Sequence, residues 1–186
     1  MALAHTILAV LSQSPCSGYD IGKRFDADLS CYWKASQQQI YRELSKMETD
    51  GWVEFEKIPQ AGKPDKKVYK VTPAGFQVLT QWFAEPTEPT PIREDLLVKV
   101  MAAAQMPREL LLKELHHRRQ LHQTQLGFYR DKECCFQAVD APSAAERFKY
   151  LTLRRGIRYE EDWIAWCDEV LDALKQEQPS RDESAD

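Results

Sequence analysis

The sequence lacks the residue patterns on which most catalytic and metal-binding sites are built. Its four histidines and five cysteines show neither His-x-x-x-His nor Cys-x-x-Cys spacing. On a helix, His116 and His117 would each point about 120–140° away from His122, so the three do not converge on one ion. With only seven glycines, the sequence has neither a Gly-rich phosphate loop nor a Gly-x-Ser-x-Gly elbow. We therefore expect a protein that is not an enzyme and that binds neither a metal nor a cofactor.

Long apolar runs and paired cysteines are also missing. No stretch approaches the roughly 20 apolar residues of a membrane-spanning helix. Residues 1–6 lack the basic start and apolar core of a secretory signal. The five cysteines are odd in number and show no paired spacing, which argues against a disulfide framework. We expect a cytoplasmic protein with reduced cysteines and no membrane partner.

Basic charge is not in excess either, since the net charge is −4 at pH 7. The charge is unevenly placed, however. Residues 1–84 carry 10 Lys and Arg against 9 Asp and Glu, and the remainder carries 15 against 20. A local basic surface can bind phosphate while the rest of a protein is acidic. Composition alone leaves open both a nucleic-acid-binding face and an ordinary solvated surface.

Residues 35–51 predict a short helix with one polar face. Ser36 and Gln39 have the spacing of a capping box, which begins a helix, and Gly51 suits its end. The expected buried face comprises Ile40, Leu44 and Met47. Rotation by about 100° per residue places polar side chains on the opposite face. These are Gln38, Arg42, Ser45 and Lys46.

A β-hairpin is predicted directly after this helix. Residues 52–58 and 66–71 alternate between apolar and polar side chains, as half-buried strands do. The segment between them, 59–64, is rich in proline and glycine and is expected to form the turn. A helix with a polar outer face, followed by a hairpin with a basic tip, is typical of a winged helix.

Three more helices complete the expected N-terminal fold. Residues 2–12 predict the first helix, and the capping-box spacing of Ser17 and Asp20 begins the second. Thr72-Pro73 is a strong start signal for the fourth. The buried face of this fourth helix is expected to comprise Phe76, Leu79 and Phe83. The order predicts a mainly α fold, of the α+β winged helix-turn-helix type.

Three prolines between Glu85 and Pro91 exclude a helix there and predict a domain boundary. We expect a helical dimerisation domain beyond it. The predicted parts are a winged helix-turn-helix DNA-binding domain at 1–84, a Pro-rich linker at 85–91, the helical domain at 92–177 and a flexible tail at 178–186.

Within the second domain, the sequence predicts three helices. Residues 93–105 carry apolar side chains at helical spacing; these are Leu96, Leu97, Val100 and Met101. Pro107 suits the first position of a long helix that ends near Phe136. Ser143 and Glu146 form a third capping box, which begins the last helix.

The last helix carries apolar residues in steps of three and four, as in a heptad seam. Trp163 and Trp166 widen the seam to one side, so the helix is expected to pack against two surfaces. One surface would belong to its own domain and the other to a second subunit. Glu160 is the one polar interruption. The residues predicted to mediate dimerisation are Tyr150, Leu153, Ile157, Trp163, Ile164, Cys167, Leu171 and Leu174.

Several short motifs resemble the PadR family of transcriptional regulators, and the order and spacing of the motifs are more specific than any one of them. The segment after Pro91, with Gly156-Ile157 and Trp163, is similar to the longer C-terminal dimerisation region of one branch of that family. The other matching motifs are Ser17-Gly18-Tyr19-Asp20-Ile21 at the second helix, Gln39-Ile40-Tyr41-Arg42-Glu43-Leu44 in the recognition helix, Gly62-Lys63-Pro64 with Lys67-Val68-Tyr69 in the wing, and Val71-Thr72-Pro73-Ala74-Gly75 at the fourth helix.

The resemblance implies a homodimer that binds double-stranded operator DNA, commonly as a repressor. Some members of the family bind small aromatic or hydrophobic molecules that weaken DNA binding, and one branch activates transcription. Two departures from the family pattern bear on DNA binding. Gln37-Gln38 stands where aromatic residues or glycine are frequent, and Asp65 lies within the basic wing.

The residues expected to contact DNA come from the second helix, the recognition helix and the wing. Gln38, Gln39 and Arg42 are assigned to base edges, because Gln pairs with adenine and Arg with guanine. The wing lysines and Tyr19 are assigned to phosphates. An ordinary solvated helix face remains the alternative. The full predicted set is Tyr19, Lys23, Ser36, Gln38, Gln39, Tyr41, Arg42, Lys46, Lys63, Lys66 and Lys67.

Two other sites are weaker candidates. Cys134-Cys135 could sense oxidants, but adjacent cysteines near a helix end are more often incidental. Tyr159, Trp163 and Trp166 could line a pocket for an aromatic ligand, although such stripes are usually core or interface. For the whole protein, the alternatives to a repressor are an activator of the same fold and a protein-interaction module that does not bind DNA.

Overall fold

The computed structural model describes residues 2–26, 35–60, 62–91 and 93–176. The chain divides into two compact units, Met1–Pro89 and Thr90–Asp186, here called the N-terminal and C-terminal units. The division falls inside the proline-rich segment 85–91, which has no helix or strand. Within the described part, no helix is both long enough and apolar enough to cross a lipid bilayer.

The N-terminal unit is a winged helix, as the sequence predicts. Its sheet has the order β1-β3-β2 and both pairings are antiparallel. Strand β1 was not predicted, because a two-residue strand exists only through its pairing with Val68 and Tyr69 of β3. The elements are α1 (Ala2–Leu11), β1 (Cys16–Ser17), α2 (Gly18–Arg24), α3 (Gln37–Thr49), β2 (Val53–Gln60), β3 (Lys63–Val71) and α4 (Pro73–Ala84).

The predicted helix starts are confirmed. Both halves of the capping box are present at Ser17, and at Ser36 the hydroxyl accepts the Gln39 amide while the Ser36 amide donates to Gln39 Oε1 at 2.8 Å. The Thr72 hydroxyl accepts the Gly75 amide and donates to the Gly51 carbonyl at 2.6 Å. Residues 27–34, which link α2 to α3, lie outside the described residues.

The hairpin turn is shorter than the sequence predicts. Gln60 pairs with Lys63, so β2 and β3 extend through most of the segment that was expected to be turn. The pairing is irregular between Ile58 and Gln60, where Pro59 has no amide hydrogen to donate. Gly62 has φ +72°, a left-handed conformation that favours glycine.

The core of the N-terminal unit includes Ile40, Leu44 and Met47 of α3, as predicted. The predicted buried face of α4 is wrong at Phe83 and Phe76, which are 84% and 47% exposed, while Leu79 packs against the core as predicted. Gly75 and Val78 also face the core, and Trp82 stacks on His5 of α1 at 4.9 Å between ring centroids. Periodicity locates an apolar face only approximately, whereas the close approach at Gly75 sets the helix rotation.

Replacing Gly75 with alanine is expected to reduce the free energy of unfolding of the N-terminal unit by about 1–3 kcal/mol. A Cβ there would lie 2.1 Å from the carbonyl oxygen of Trp52, and this backbone atom cannot move aside cheaply. Urea unfolding followed by circular dichroism measures the change. Gly127→Ala is the control, because nothing lies within 4 Å of its added Cβ and alanine favours a helix by up to about 1 kcal/mol. An unchanged midpoint for Gly75→Ala would contradict the close packing.

The C-terminal unit is built on two long antiparallel helices. Its elements are α5 (Asp95–Met101), a short 3-10 helix (Ala103–Gln105), α6 (Arg108–Gln137) and α7 (Ala144–Gln176). The helix predicted at 93–105 is therefore shorter and interrupted. Leu96 is buried and Val100 packs beside it, whereas Leu97 and Met101 are exposed. A helix of two turns presents only the residues at i and i+4 to one surface.

The apolar seam of α7 is buried within its own chain. Cys167, Leu171 and Leu174 pack with Leu96, Leu111 and Leu115 of α5 and α6. Leu153 and Ile157 are also buried. Tyr150, Trp163 and Ile164 are half-buried. The expectation that this seam pairs subunits must therefore be revised, because most of its side chains are already covered by the same subunit.

Glu160, the polar interruption in the seam, is buried too and has a partner from α6. His122 Nδ1 lies 2.5 Å from Glu160 Oε2, and the His122 ring stacks on Trp163 at 5.2 Å between centroids. A buried carboxylate requires such a partner to offset its lost hydration. The interruption is therefore part of the α6–α7 packing.

Candidate nucleic-acid interface

Two glycines of α2 allow close approach of α3. A Cβ at Gly18 would lie 2.5 Å from the Tyr41 ring, and a Cβ at Gly22 would lie 1.8 Å from Gln37 Nε2. Tyr41 therefore packs on α2 with one side of its ring, while 46% of the residue stays exposed. Gln37 is a packing residue that the sequence analysis missed. The i, i+4 spacing of the two glycines was the available signal, since small residues at this spacing share one helix face.

The outer face of α3 presents hydrogen-bond donors that have no partner among the described residues. Gln38, Arg42 and Lys46 are exposed and have no hydrogen bond or ion pair within the described part of the chain. Ser36 and Gln39 are exposed as well, but they bond to each other in the capping box. A shallow concavity follows this face and is lined by Ser36, Gln38, Gln39, Tyr41, Arg42 and Ser45.

Tyr19 and Lys23 form a smaller exposed patch on α2. The Lys23 ammonium lies 4.8 Å from the centroid of the Tyr19 ring, within range of a cation–π contact. Both side chains are exposed. This arrangement leaves the Tyr19 hydroxyl and the Lys23 charge together on one surface, as a phosphate contact requires.

Two of the wing lysines, Lys66 and Lys67, already have acidic partners within the chain. Lys66 Nζ lies 2.9 Å from Asp20 Oδ2. Lys67 Nζ lies 3.7 Å from the Phe55 ring centroid and 3.8 Å from Glu48 Oε2. The side chain of Lys63 lies outside the described part. The sequence could not reveal these pairs, because their members are far apart along the chain and only the sheet brings them together.

The Asp20 carboxylate pairs with Lys66 of the wing and also forms the capping box at the start of α2. Besides Lys66, it accepts the Ser17 hydroxyl at 2.7 Å and the Ser17 amide at 3.4 Å. The hydrogen bond from Lys66, followed by those from Ser17, lowers the pKa of Asp20 to about 2. The stabilisation from this charge is therefore present above the ordinary pKa of an aspartate and is lost as the pH falls through about 2.

The other candidate residues lie partly in the core and partly on the surface of their units. Cys16 and Cys167 are buried, which raises the pKa of both thiols, while Cys134 and Cys135 are exposed. Trp163 and Trp166 pack against the core of the C-terminal unit. Within the described residues, no three His, Cys, Asp or Glu side chains come together as metal ligands would.

Comparison with known proteins assigns both halves of the chain. Residues 7–81 match the family described as "Transcriptional regulator PadR-like family", and residues 92–175 match "Virulence activator alpha C-term". The chain is 38% identical to a Mycobacterium tuberculosis protein named "Probable transcriptional regulator Rv1176c", over 95% of this chain and 99% of that protein. It is 28% identical to the Bacillus subtilis "Negative transcriptional regulator PadR", over 91% and 95% of the two chains.

Solved structures agree with this assignment. The Vibrio cholerae virulence activator AphA superposes with a TM-score of 0.80 at 35% identity, covering 95% of this chain and 99% of that one. Bacillus subtilis PadR in complex with operator DNA superposes with a TM-score of 0.83 at 24% identity, covering 94% and 99%, and this likeness shows the fold alone. These proteins are regulators and not enzymes, as the sequence predicts. The chain therefore belongs to the PadR-like family of transcriptional regulators.

Proposed function

We propose that the protein is a homodimeric transcriptional regulator that binds operator DNA through α3. The observation that carries this proposal is the row of exposed, unoccupied donors at Gln38, Arg42 and Lys46. The capping box at Ser36 and the buried face of α3 hold these donors on a rigid helix. Amide and guanidinium groups match the edges of adenine and guanine in the major groove. The Bacillus subtilis relative has been solved in complex with operator DNA, which supports the same role here.

The proposed dimer surface is an apolar stripe on the outer side of the α6–α7 pair. On α7, Phe148, Leu151 and Tyr159 are exposed and lie within about 80° of one another around the helix. On α6, Leu121 and Phe128 are exposed and seven residues apart, which places them on one face. Several large apolar side chains exposed on one face mark a candidate surface for a partner, and the family resemblance implies that the partner is a second copy.

A twofold dimer would present two copies of α3 to successive major grooves, about 34 Å or a multiple apart. Its operator should then be a pseudo-palindrome. The test is a DNase footprint of the full chain on the DNA upstream of its own gene. Two protected half-sites related by a twofold axis are expected. Absence of protection at micromolar protein would overturn the proposal and favour a protein-interaction module.

We assign repression as the first regulatory mode, acting in the cytoplasm by exclusion of polymerase from the promoter. The Bacillus relative is named a negative regulator. Activation is the second candidate, favoured by the match of residues 92–175 to the virulence-activator family and by the 35% identity to AphA. Reporter expression with and without the gene separates the two, since loss of a repressor raises expression and loss of an activator lowers it.

Release by a small aromatic or hydrophobic ligand is the remaining part of the proposal. Bacillus subtilis PadR has been solved in complex with p-coumaric acid. A ligand that prefers one of two dimer geometries shifts the population towards it. Titration of p-coumaric acid into the protein–operator complex is expected to dissociate it at saturable concentrations. An unchanged complex would remove phenolic acids from the proposal.

A further inference from the structure

We propose that Asp20 is a charge lock on the wing, which withholds Lys66 from DNA phosphates and so keeps sequence-independent DNA binding weak. The inference rests on the proposed DNA-binding function and adds to it a residue that controls selectivity. In this arrangement a phosphate reaches Lys66 only by displacing Asp20. The wing then contributes little to binding on arbitrary DNA, and recognition depends on α3.

The geometry of the pair is set by backbone on both sides. Ser17 of β1 pairs with Val68 of β3, which places the start of α2 beside the wing strand. Asp20 is the third residue of α2 and is oriented by its two hydrogen bonds to Ser17. Lys66 approaches from β3, two residues before Val68, to 2.9 Å. The Asp20 carboxylate is therefore held in place by Ser17, and the pairing of β1 with β3 places the backbone of Lys66 beside it.

Exposure makes the lock reversible. The side chains of Lys66 and Asp20 are 38% and 37% exposed, so a phosphate can approach the ammonium from solvent. An exposed ion pair of this kind contributes only modest stability. The same pair should affect DNA affinity more than stability. Each additional phosphate that a protein neutralises steepens the dependence of its DNA affinity on salt concentration.

The neighbouring wing residues follow two different patterns. Lys67 is held by Glu48 and by the Phe55 ring, so it repeats the arrangement of Lys66. Asp65, which directly precedes Lys66 on β3, is exposed and has no ion pair with any side chain in the described part of the chain. Removing the charge of Asp65 raises the wing charge as much as removing that of Asp20, but it releases no lysine. The two aspartates therefore form a matched pair of test sites.

The experiment measures the affinity of the full chain for a mixed-sequence duplex by fluorescence anisotropy over a series of salt concentrations. The variants are Asp20→Asn, Asp65→Asn, Lys66→Met and Asp20→Asn combined with Lys66→Met. Asparagine at Asp20 can still accept the Ser17 amide. We expect Asp20→Asn to bind about three- to tenfold tighter at low salt and its log–log salt slope to steepen by about 0.9, the value for one added phosphate contact.

Asp65→Asn should give a smaller gain with an unchanged salt slope. Lys66→Met should change little in the parent but should remove the gain in the Asp20→Asn background. An unchanged slope for Asp20→Asn, or an equal gain for both aspartate variants, overturns the lock.

If Asp20→Asn does not fold, the single variant Lys66→Met decides. A log–log salt slope that is flatter than that of the parent by about 0.9 would mean that Lys66 already contacts a phosphate, and this result would overturn the lock. If the parent and all variants fail to bind duplex DNA at low salt, the proposed DNA-binding function fails and the lock fails with it.

Discussion

Arg42→Ala is expected to lose about 5- to 150-fold in affinity for the operator, which corresponds to about 1–3 kcal/mol for one bidentate contact to a base. The Arg42 side chain is exposed, and no other described residue holds it by a hydrogen bond or ion pair. Its backbone lies between the buried residues Ile40 and Leu44, so the helix keeps its position when the side chain is shortened. Affinity for mixed-sequence DNA should fall much less, because a base contact contributes little there.

The measurement compares operator and mixed-sequence duplexes at one salt concentration. Arg42→Lys keeps the charge but cannot form the planar bidentate contact, so it should also lose preference for the operator. Arg93→Ala removes the same charge from an exposed position outside the winged helix elements and should leave the preference unchanged. Equal losses of Arg42→Ala on both duplexes would mean that Arg42 contacts phosphate and does not read a base.

Phe148→Glu combined with Leu151→Glu is expected to give a folded monomer whose operator affinity is lower by about 100-fold or more. The two residues are 69% and 60% exposed, so charge at these positions opposes pairing of subunits without entering the core. Loss of the second recognition helix removes the gain of two linked contacts, which is typically 100- to 10,000-fold. Light scattering after size-exclusion chromatography reports the mass, and circular dichroism reports the helix content.

Leu171→Glu should behave differently, although the sequence pattern places Leu171 in the same seam as the predicted dimer contacts. Leu171 is buried in its own unit, so a charge there should unfold the C-terminal unit and not merely separate subunits. Ala104→Glu, which adds one charge at an exposed position of the 3-10 helix, outside α6 and α7, should leave both mass and affinity unchanged. A stripe variant that remains dimeric would show that the subunits meet elsewhere. A monomer that binds the operator as tightly as the parent would remove the need for two copies.

Local signals in the sequence correctly predicted the starts of α2, α3 and α4 and the exposed polar face of α3. Capping boxes depend on residues three apart, such as Ser36 and Gln39, whose hydrogen bonds form within one helical turn. The buried and exposed faces of α3 follow from the helical period, because a single apolar stripe has one way to meet the core. The order and spacing of the motifs also identify the resemblance to the PadR family.

The predicted packing partners of α4 and α7 were less accurate than the predicted helix starts. In α4 the aromatic residues Phe76 and Phe83 were expected inside, but the contact of Gly75 with the Trp52 backbone turns them outwards. In α7 the seam was expected to pair subunits, but α5 and α6 cover it first. A period of 3.6 residues identifies a stripe and does not identify its partner.

By itself, the sequence determined the family, the winged-helix order and the polar face of α3, because these features depend on neighbours within a few residues along the chain. Only the tertiary structure decided which charges are free for DNA. Lys66 and Lys67 are part of a basic wing in the sequence, yet β3 carries them to Asp20 and Glu48. Arg42 and Lys46 have no such neighbour within the described residues. Ion pairs between residues far apart along the chain, such as Lys66 with Asp20 and Lys67 with Glu48, depend on distance in space, and the sequence spacing does not report them.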